Sequence, residues 1–268
     1  MAELSIAFLT IPDIGPKEAI IQCSQLGIHK LGIRLIPAVP GESEYPLLTQ
    51  PQLQSEVCSL LADHPISIAD VELIRISPQT IPESFLPLFE VSAKLQAQFV
   101  TVINDDPVLS RAADTFSSLV NLAQPYGLTL NLEPMPWTAI TNIPDALKMV
   151  QAPGLDNTGI LLDVFHFSRC GMSLKHIELI PEKFLRFVQV CDAPLKFEPD
   201  PMDIRQEAQT SRFMPGDGEL PIQDILKKLP NDIILSVEVP NQKLLSSFSS
   251  RERIALAKNK ALKLLNFI

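Results

Sequence analysis

Residues 159–166 read GILLDVFH and residues 235–240 read LSVEVP, and each run carries one acid at the end of an otherwise apolar stretch. The pattern recurs in LTLNLEP at 128–134 and FVQVCD at 187–192. A strand with one wet face alternates apolar and polar residues. These runs are apolar on both faces, as in parallel strands covered outside by helices and packed inside by their own side chains.

Outward from these four runs, further strand candidates lie at 5–11, 30–36, 68–76 and 99–104, with the four runs themselves spanning 128–134, 158–164, 186–192 and 233–240. Helical spacing fills the intervals. Residues 16–26 place Ala19, Ile20, Cys23 and Leu26 on one face and stop at Gly27, and 82–97 carry Phe85, Leu88, Phe89 and Leu95. Another helix is expected from about 108 to 126 before Gly127, a short one at Pro144, one opened by Pro221, and a last one over 250–265. About eight strand–helix units predict a closed (β/α)8 barrel over residues 1–268 as a single domain. The rival, a doubly wound open sheet, would typically carry a glycine-rich first turn, and the first turn here, TIPDIGPKEA, has no G-x-G-x-x-G.

Composition narrows the function. The net charge is −9, with no basic run and 6% aromatic residues, which argues against a nucleic-acid partner. Cys23, Cys58, Cys170 and Cys191 form no C-x-x-C pair, which suggests a reduced, cytoplasmic protein. The opening MAELSIAFLTIPDIG lacks a basic n-region and reads as a first strand, not a signal peptide. No apolar run is long enough for a membrane span.

In a parallel barrel, chemistry collects where strands end. The polar residues delivered there are Glu133, Asp163, Gln189 and Glu238. One such residue commonly pairs with a nearby Arg or Lys, or caps a helix. Four in successive strands, with no regular basic partner beside them, repel one another unless a cation neutralises them. All-oxygen donors suit Mn²⁺ or Mg²⁺, with Zn²⁺ or Co²⁺ as alternatives.

The motifs L-E-P, L-L-D-x-x-H, an apolar-x-Gln-x-x-Asp run and S-V-E-x-P resemble those of the xylose isomerase-like TIM barrels, nearly the whole chain through and most specifically from Glu133 to Glu238. That group includes sugar and sugar-phosphate isomerases and epimerases, 3-dehydroshikimate dehydratase and endonuclease IV. The resemblance implies that Glu133, Asp163, Gln189 and Glu238 hold the metal, and that Glu133 and Glu238 also shuttle a proton. A metal on a carbonyl and its adjacent hydroxyl acidifies the intervening C–H and stabilises the enediolate, so the assignment is chemically reasonable.

By the same resemblance His166 is a substrate contact, and a basic residue ahead of PGDGELP points at substrate, which nominates Arg212 and Arg205. Either would anchor a carboxylate or phosphate, or polarise an oxygen. Asp192 is a supporting candidate for substrate binding, loop orientation or metal contact, and Trp137 for a pocket wall. Residues 193–220, with little periodicity, read as a long loop walling the mouth. Arg34, Arg75 and Glu72 mark the other half of the mouth only weakly.

Gln189 departs from the imidazole also found at its position, and a neutral amide oxygen is the weaker ligand. It keeps open a dehydratase reaction beside isomerisation or epimerisation. A third reading is a non-catalytic barrel that binds a ligand. Endonuclease chemistry would need several more histidines than His29, His64, His166 and His176. The expected partner is a small polyhydroxylated or hydroxy-acid substrate, with neither nucleic acid nor membrane, and barrel surfaces leave a homodimer open.

Overall fold

The structure is a computed structural model describing residues 3–38 and 45–265. Its strands are β1 (Glu3–Ile6), β2 (Lys30–Arg34), β3 (Ser67–Ile76), β4 (Phe99–Asn104), β5 (Thr129–Leu132), β6 (Thr158–Asp163), β7 (Leu185–Val190) and β8 (Ile234–Val237). They close in sequence order into a barrel with every neighbouring pair parallel. The ladder joining Ser5 of β1 to Ser236 of β8 completes the circle and rules out the open sheet. Strands β2, β4 and β6 are buried at every position, as their two-faced apolar sequences require.

The first half of the chain contributes α1 (Pro16–Gln25), α2 (Pro46–Thr49), α3 (Pro51–Asp63), α4 (Leu86–Lys94), α5 (Leu109–Ala123) and α6 (Ile143–Gln151). The second half adds α7 (Val164–Arg169), α8 (Leu174–Ile177), α9 (Pro201–Thr210), α10 (Ile222–Leu226), α11 (Gln242–Ser247) and α12 (Ser250–Leu265). Helix α5 shows the logic best: Ala112, Phe116, Leu119, Val120 and Ala123 form its buried stripe. A short 3₁₀ turn follows, and Gly127 takes the left-handed conformation (φ 70°) that ends the segment. None of the helices among the described residues is long and apolar enough to cross a membrane.

Several local expectations change, among them the first strand, which ends at Ile6 and gives way to a 3₁₀ turn at Phe8–Thr10 instead of running to residue 11. Residues 82–97 begin as a 3₁₀ turn, Pro82–Phe85, before α4 starts. Residues 193–220 are not an unstructured loop, because α9 lies within them. Its N-cap Asp200 accepts the amide of Met202 at 2.8 Å, and among its described side chains it buries Ile204 and Ala208, too short an apolar stripe to register as helical periodicity.

Inside the barrel, side chains form layers. Phe99, Leu161, Phe187 and Ile234 pack together with Ala69, and the rings of Phe99 and Phe187 meet across the interior at 5.6 Å. Two residues further along their strands, Leu161, Phe187 and Ile234 give way to Asp163, Gln189 and Ser236. Small residues make room for polar ones: Gly32 lies against Asp70, and Gly159 against Asn131, each with its carboxylate or amide oxygen where a Cβ would stand. The apolar layer closes the lower barrel and leaves the carboxy-terminal ends of β5 to β8 to carry the polar groups.

Candidate metal centre

Each of the four strand-end residues arrives by continuation of a ladder. The amides of Glu133 and Glu238, one residue past β5 and β8, donate to Val102 and Val190, and Asp163 and Gln189 are register partners on β6 and β7. All four are buried. Asp163 is also the N-cap of α7, its Oδ1 accepting the His166 amide at 2.9 Å, so the turn that ends β6 brings the His166 ring into the same chamber. Glu133, Asp163 and His166 offer ligand atoms within 4.8 Å of one another.

Arg212 sits among them. Its Nη1 donates to Asp163 Oδ2 at 2.6 Å and lies 3.0 Å from Glu238 Oε2, its Nε donates to the Ala208 carbonyl at 2.8 Å, and its guanidinium stands 4.9 Å over the Phe165 ring. Its Nη2 is 3.2 Å from His166 Nε2. Arginine only donates, so Nε2 accepts and the imidazole proton resides on Nδ1, which has no hydrogen-bond partner among the described residues. Burial, reinforced by the Arg212 charge, lowers the His166 pKa to about 3. The imidazole is therefore neutral, and its 3.7 Å approach to Glu133 is a contact of a neutral ring with a carboxyl group, not an ion pair.

The remaining charges do not balance. Burial pushes the Glu133 carboxyl well above its ordinary range, and the nearby Asp163 and Glu238 push it further. Burial also raises Glu238, with Glu72, Asp163 and Asp70 adding to it against the pull of Arg212. Asp163 alone falls below its usual value, because Arg212 and the His166 amide outweigh its burial. Glu72 is paired with Arg34 at 2.6 Å and its carboxyl group also meets Glu238. One guanidinium thus serves Glu133, Asp163 and Glu238, leaving a deficit that either protons or a dication must fill.

The donor set fits a divalent ion. Gln189 donates its amide nitrogen to Glu238 Oε1 at 2.9 Å, while its own Oε1 is buried with no hydrogen-bond partner among the described residues. Among the described residues, the His166 ring at 3.7 Å is the one side chain in ion-pair range of Glu133. Each carboxylate oxygen that Arg212 touches keeps a second lone pair for a ligand bond.

The site opens into a cavity of about 270 Å³ whose lining includes Glu72, Glu133, Trp137, His166, Gln189, Arg205, Arg212 and Glu238. Trp137 meets the His166 ring edge-on at 5.0 Å and serves as wall and packing together. Asp192 goes elsewhere. Its oxygens accept the amides of Ala193, Gly216 and Leu220 at 2.9–3.0 Å, which fits the loop-orienting role among those the sequence offered. Glu72 and its partner Arg34 reach the site from β3 and β2, where the sequence marked them only weakly. Strand alternation in SIADVELIRI (67–76) places Asp70 and Glu72 on one face, and with the barrel interior known that was the available signal.

The model of the xylose isomerase-like TIM barrel family matches residues 87–264. An inosose isomerase of Bacillus velezensis is 25% identical over 142 residues, covering 50% of this chain and 48% of that protein. The chain thus spans about half the length of the curated relatives it matches first. The solved structure of an IolI protein with a bound zinc atom superposes with a TM-score of 0.82 at 18% identity, covering 98% of both chains. A probable 3-dehydroshikimate dehydratase, AsbF, of Bacillus anthracis superposes with a TM-score of 0.76 at 10% identity, covering 97% of this chain and 98% of that one. These two likenesses establish the shared fold and do not choose between reactions.

Proposed function

Since the chain belongs to the xylose isomerase-like TIM barrel family, we propose that it is a divalent-metal-dependent isomerase or epimerase of a sugar, keto-sugar or sugar phosphate. The observation that carries this reading is the buried group Glu133, Asp163, Gln189 and Glu238 at the ends of four consecutive strands, sharing one guanidinium. The matching inosose isomerases favour proton transfer over other chemistries of the fold.

In this reading Glu133, Asp163, Glu238 and the free Oε1 of Gln189 hold the ion, with His166 beside them. A bound divalent ion supplies Lewis acidity, drawing on a substrate carbonyl and neighbouring hydroxyl so that the C–H between them becomes acidic. The chain supplies the proton traffic and the positioning. One of Glu133 and Glu238, in its ionised form, would take the C–H proton onto Oε, and a carboxyl Oε–H of the pair would return a proton to the carbon skeleton, the raised pKa of both favouring the form that carries the transferred proton. Arg212 fixes Asp163 and Glu238, and the neutral His166 ring lines the cavity beside them.

The second reading is a metal-dependent dehydratase, which the amide at Gln189 keeps open. Incubation with candidate keto-sugars in deuterated water separates the two. Deuterium at carbon without loss of water supports the isomerase, whereas an unsaturated product absorbing in the ultraviolet supports the lyase. Glu238→Gln is expected to lower either activity by roughly 10²–10⁴-fold with the fold intact, and full activity in that variant overturns the role given to Glu238.

A further inference from the structure

Four arginines, Arg34, Arg75, Arg205 and Arg212, line the cavity. Three are committed to carboxylates: Arg34 to Glu72, Arg75 to Asp105, and Arg212 to Asp163 and Glu238. Arg205 has no hydrogen bond or ion pair among the described residues, although its own helix carries Asp203 and Glu207. Glu207 is taken by Arg169, which grips it through Nε at 3.0 Å and Nη2 at 2.7 Å. Arg169 also holds the Pro194 carbonyl at 2.9 Å, and its guanidinium lies over the rings of Phe165 and Phe197. This grip, with Ile204 and Ala208 buried, fixes the rotation of α9, and Arg205 and Gln209 line the cavity from it.

The cavity is therefore electrically polarised. Its deep end gathers the carboxyl groups of Glu133, Asp163 and Glu238, and its α9 wall carries a partly buried guanidinium with no carboxylate partner among the described residues. A neutral polyol would satisfy the first end and leave the second unpaired. We infer that the substrate bears an anionic group, a carboxylate or a phosphate, at the end remote from the reacting hydroxy-carbonyl, and that Arg205 recognises it with Gln209 alongside. This rests on the proposed hydroxy-carbonyl chemistry at the deep end. Arginine pairs with either anion through parallel N–H donors, so the two share one recognition chemistry.

Calorimetric titration of the full chain in Mn²⁺ with erythritol, erythronate and erythritol 4-phosphate tests this and separates the two anions. One or both anions should bind about tenfold or more tightly than erythritol, the order that a charge-assisted hydrogen bond confers. Arg205→Gln should bring the three ligands within about twofold of one another, and Arg205→Lys should keep part of the preference. No preference for either anion, or one that survives Arg205→Gln because the anion sits on the metal, overturns the inference. A Mn²⁺ titration of Arg205→Gln distinguishes the failures: metal uptake without anion preference sinks only the substrate class, whereas an Arg205-dependent preference without metal uptake sinks the metal-centred reading instead.

Discussion

Gln189 is the residue on which the proposed metal centre turns. Its nitrogen is spent on Glu238, so only the amide oxygen is left to face an ion, and a neutral oxygen is a weaker donor than imidazole nitrogen for most divalent transition metals. Gln189→His is expected to tighten Zn²⁺ or Co²⁺ binding more than Mn²⁺ binding, and affinities for all three left unchanged on titration would show that Gln189 Oε1 does not face the ion. Asp70 gives a separate test. It is fully buried, and neither carboxylate oxygen has a hydrogen-bond partner among the described residues. Burial, with the neighbouring Glu72 charge, raises its pKa well above the usual value against the pull of Arg34. The folded state therefore keeps a proton that the unfolded state has lost, and stability falls as pH rises from the unfolded value toward the folded one. Asp70→Asn should stabilise the protein increasingly as pH rises above the ordinary carboxylate range in denaturant titrations, and parallel stability curves would contradict this. At this scale the sequence was legible where one acid ended an apolar run, as at Glu133, Asp163 and Glu238. It was not where polarity lay inside a strand, as at Asp70 and Glu72, because only barrel closure decides whether that face is a dry interior. Asp192 shared the Asp-after-three spacing of a site residue, but the turn beyond β7 directs it to backbone amides.

Helix α9 governs the mouth. Its sequence hid it, since a mostly polar helix with Ile204 and Ala208 as its inward contacts draws its place from Arg169 and the Asp200 cap more than from hydrophobic periodicity. Glu207→Ala leaves the buried Arg169 guanidinium short of its carboxylate, which should cost about 1–3 kcal/mol of stability. The same change should loosen the wall that presents Arg205, raising KM several-fold more than it lowers kcat. An equal fall in kcat with KM unchanged would place α9 outside substrate binding. The barrel strands, by contrast, were readable one by one, because burial on both faces leaves little room for polar residues except at the ends.

The whole barrel depends on paired large and small positions within its interior. A Cβ added at Gly159 would overlap Asn131 Oδ1 and stand 3.2 Å from the Phe184 carbonyl, so Gly159→Ala should destabilise the protein by about 1–3 kcal/mol or more in chemical denaturation. A loss below the error of that measurement would mean that β5 and β6 can separate without cost. Closure also sets the charge problem at the mouth, since it gathers Glu72, Glu133, Asp163 and Glu238 in a space with two guanidinium groups, Arg34 and Arg212. Metal uptake must displace the protons that burial holds on these carboxyls, so apparent affinity should rise with pH and binding should release protons into the buffer. The most direct test is a Mn²⁺ titration of the purified chain in buffers of different ionisation enthalpy. The expected result is one ion per chain, taken up with proton release and lost in the Glu133→Gln, Asp163→Asn double variant. No uptake of Mn²⁺, Mg²⁺, Zn²⁺ or Co²⁺, or uptake unaltered in that variant, would contradict a metal centre at the ends of β5 to β8.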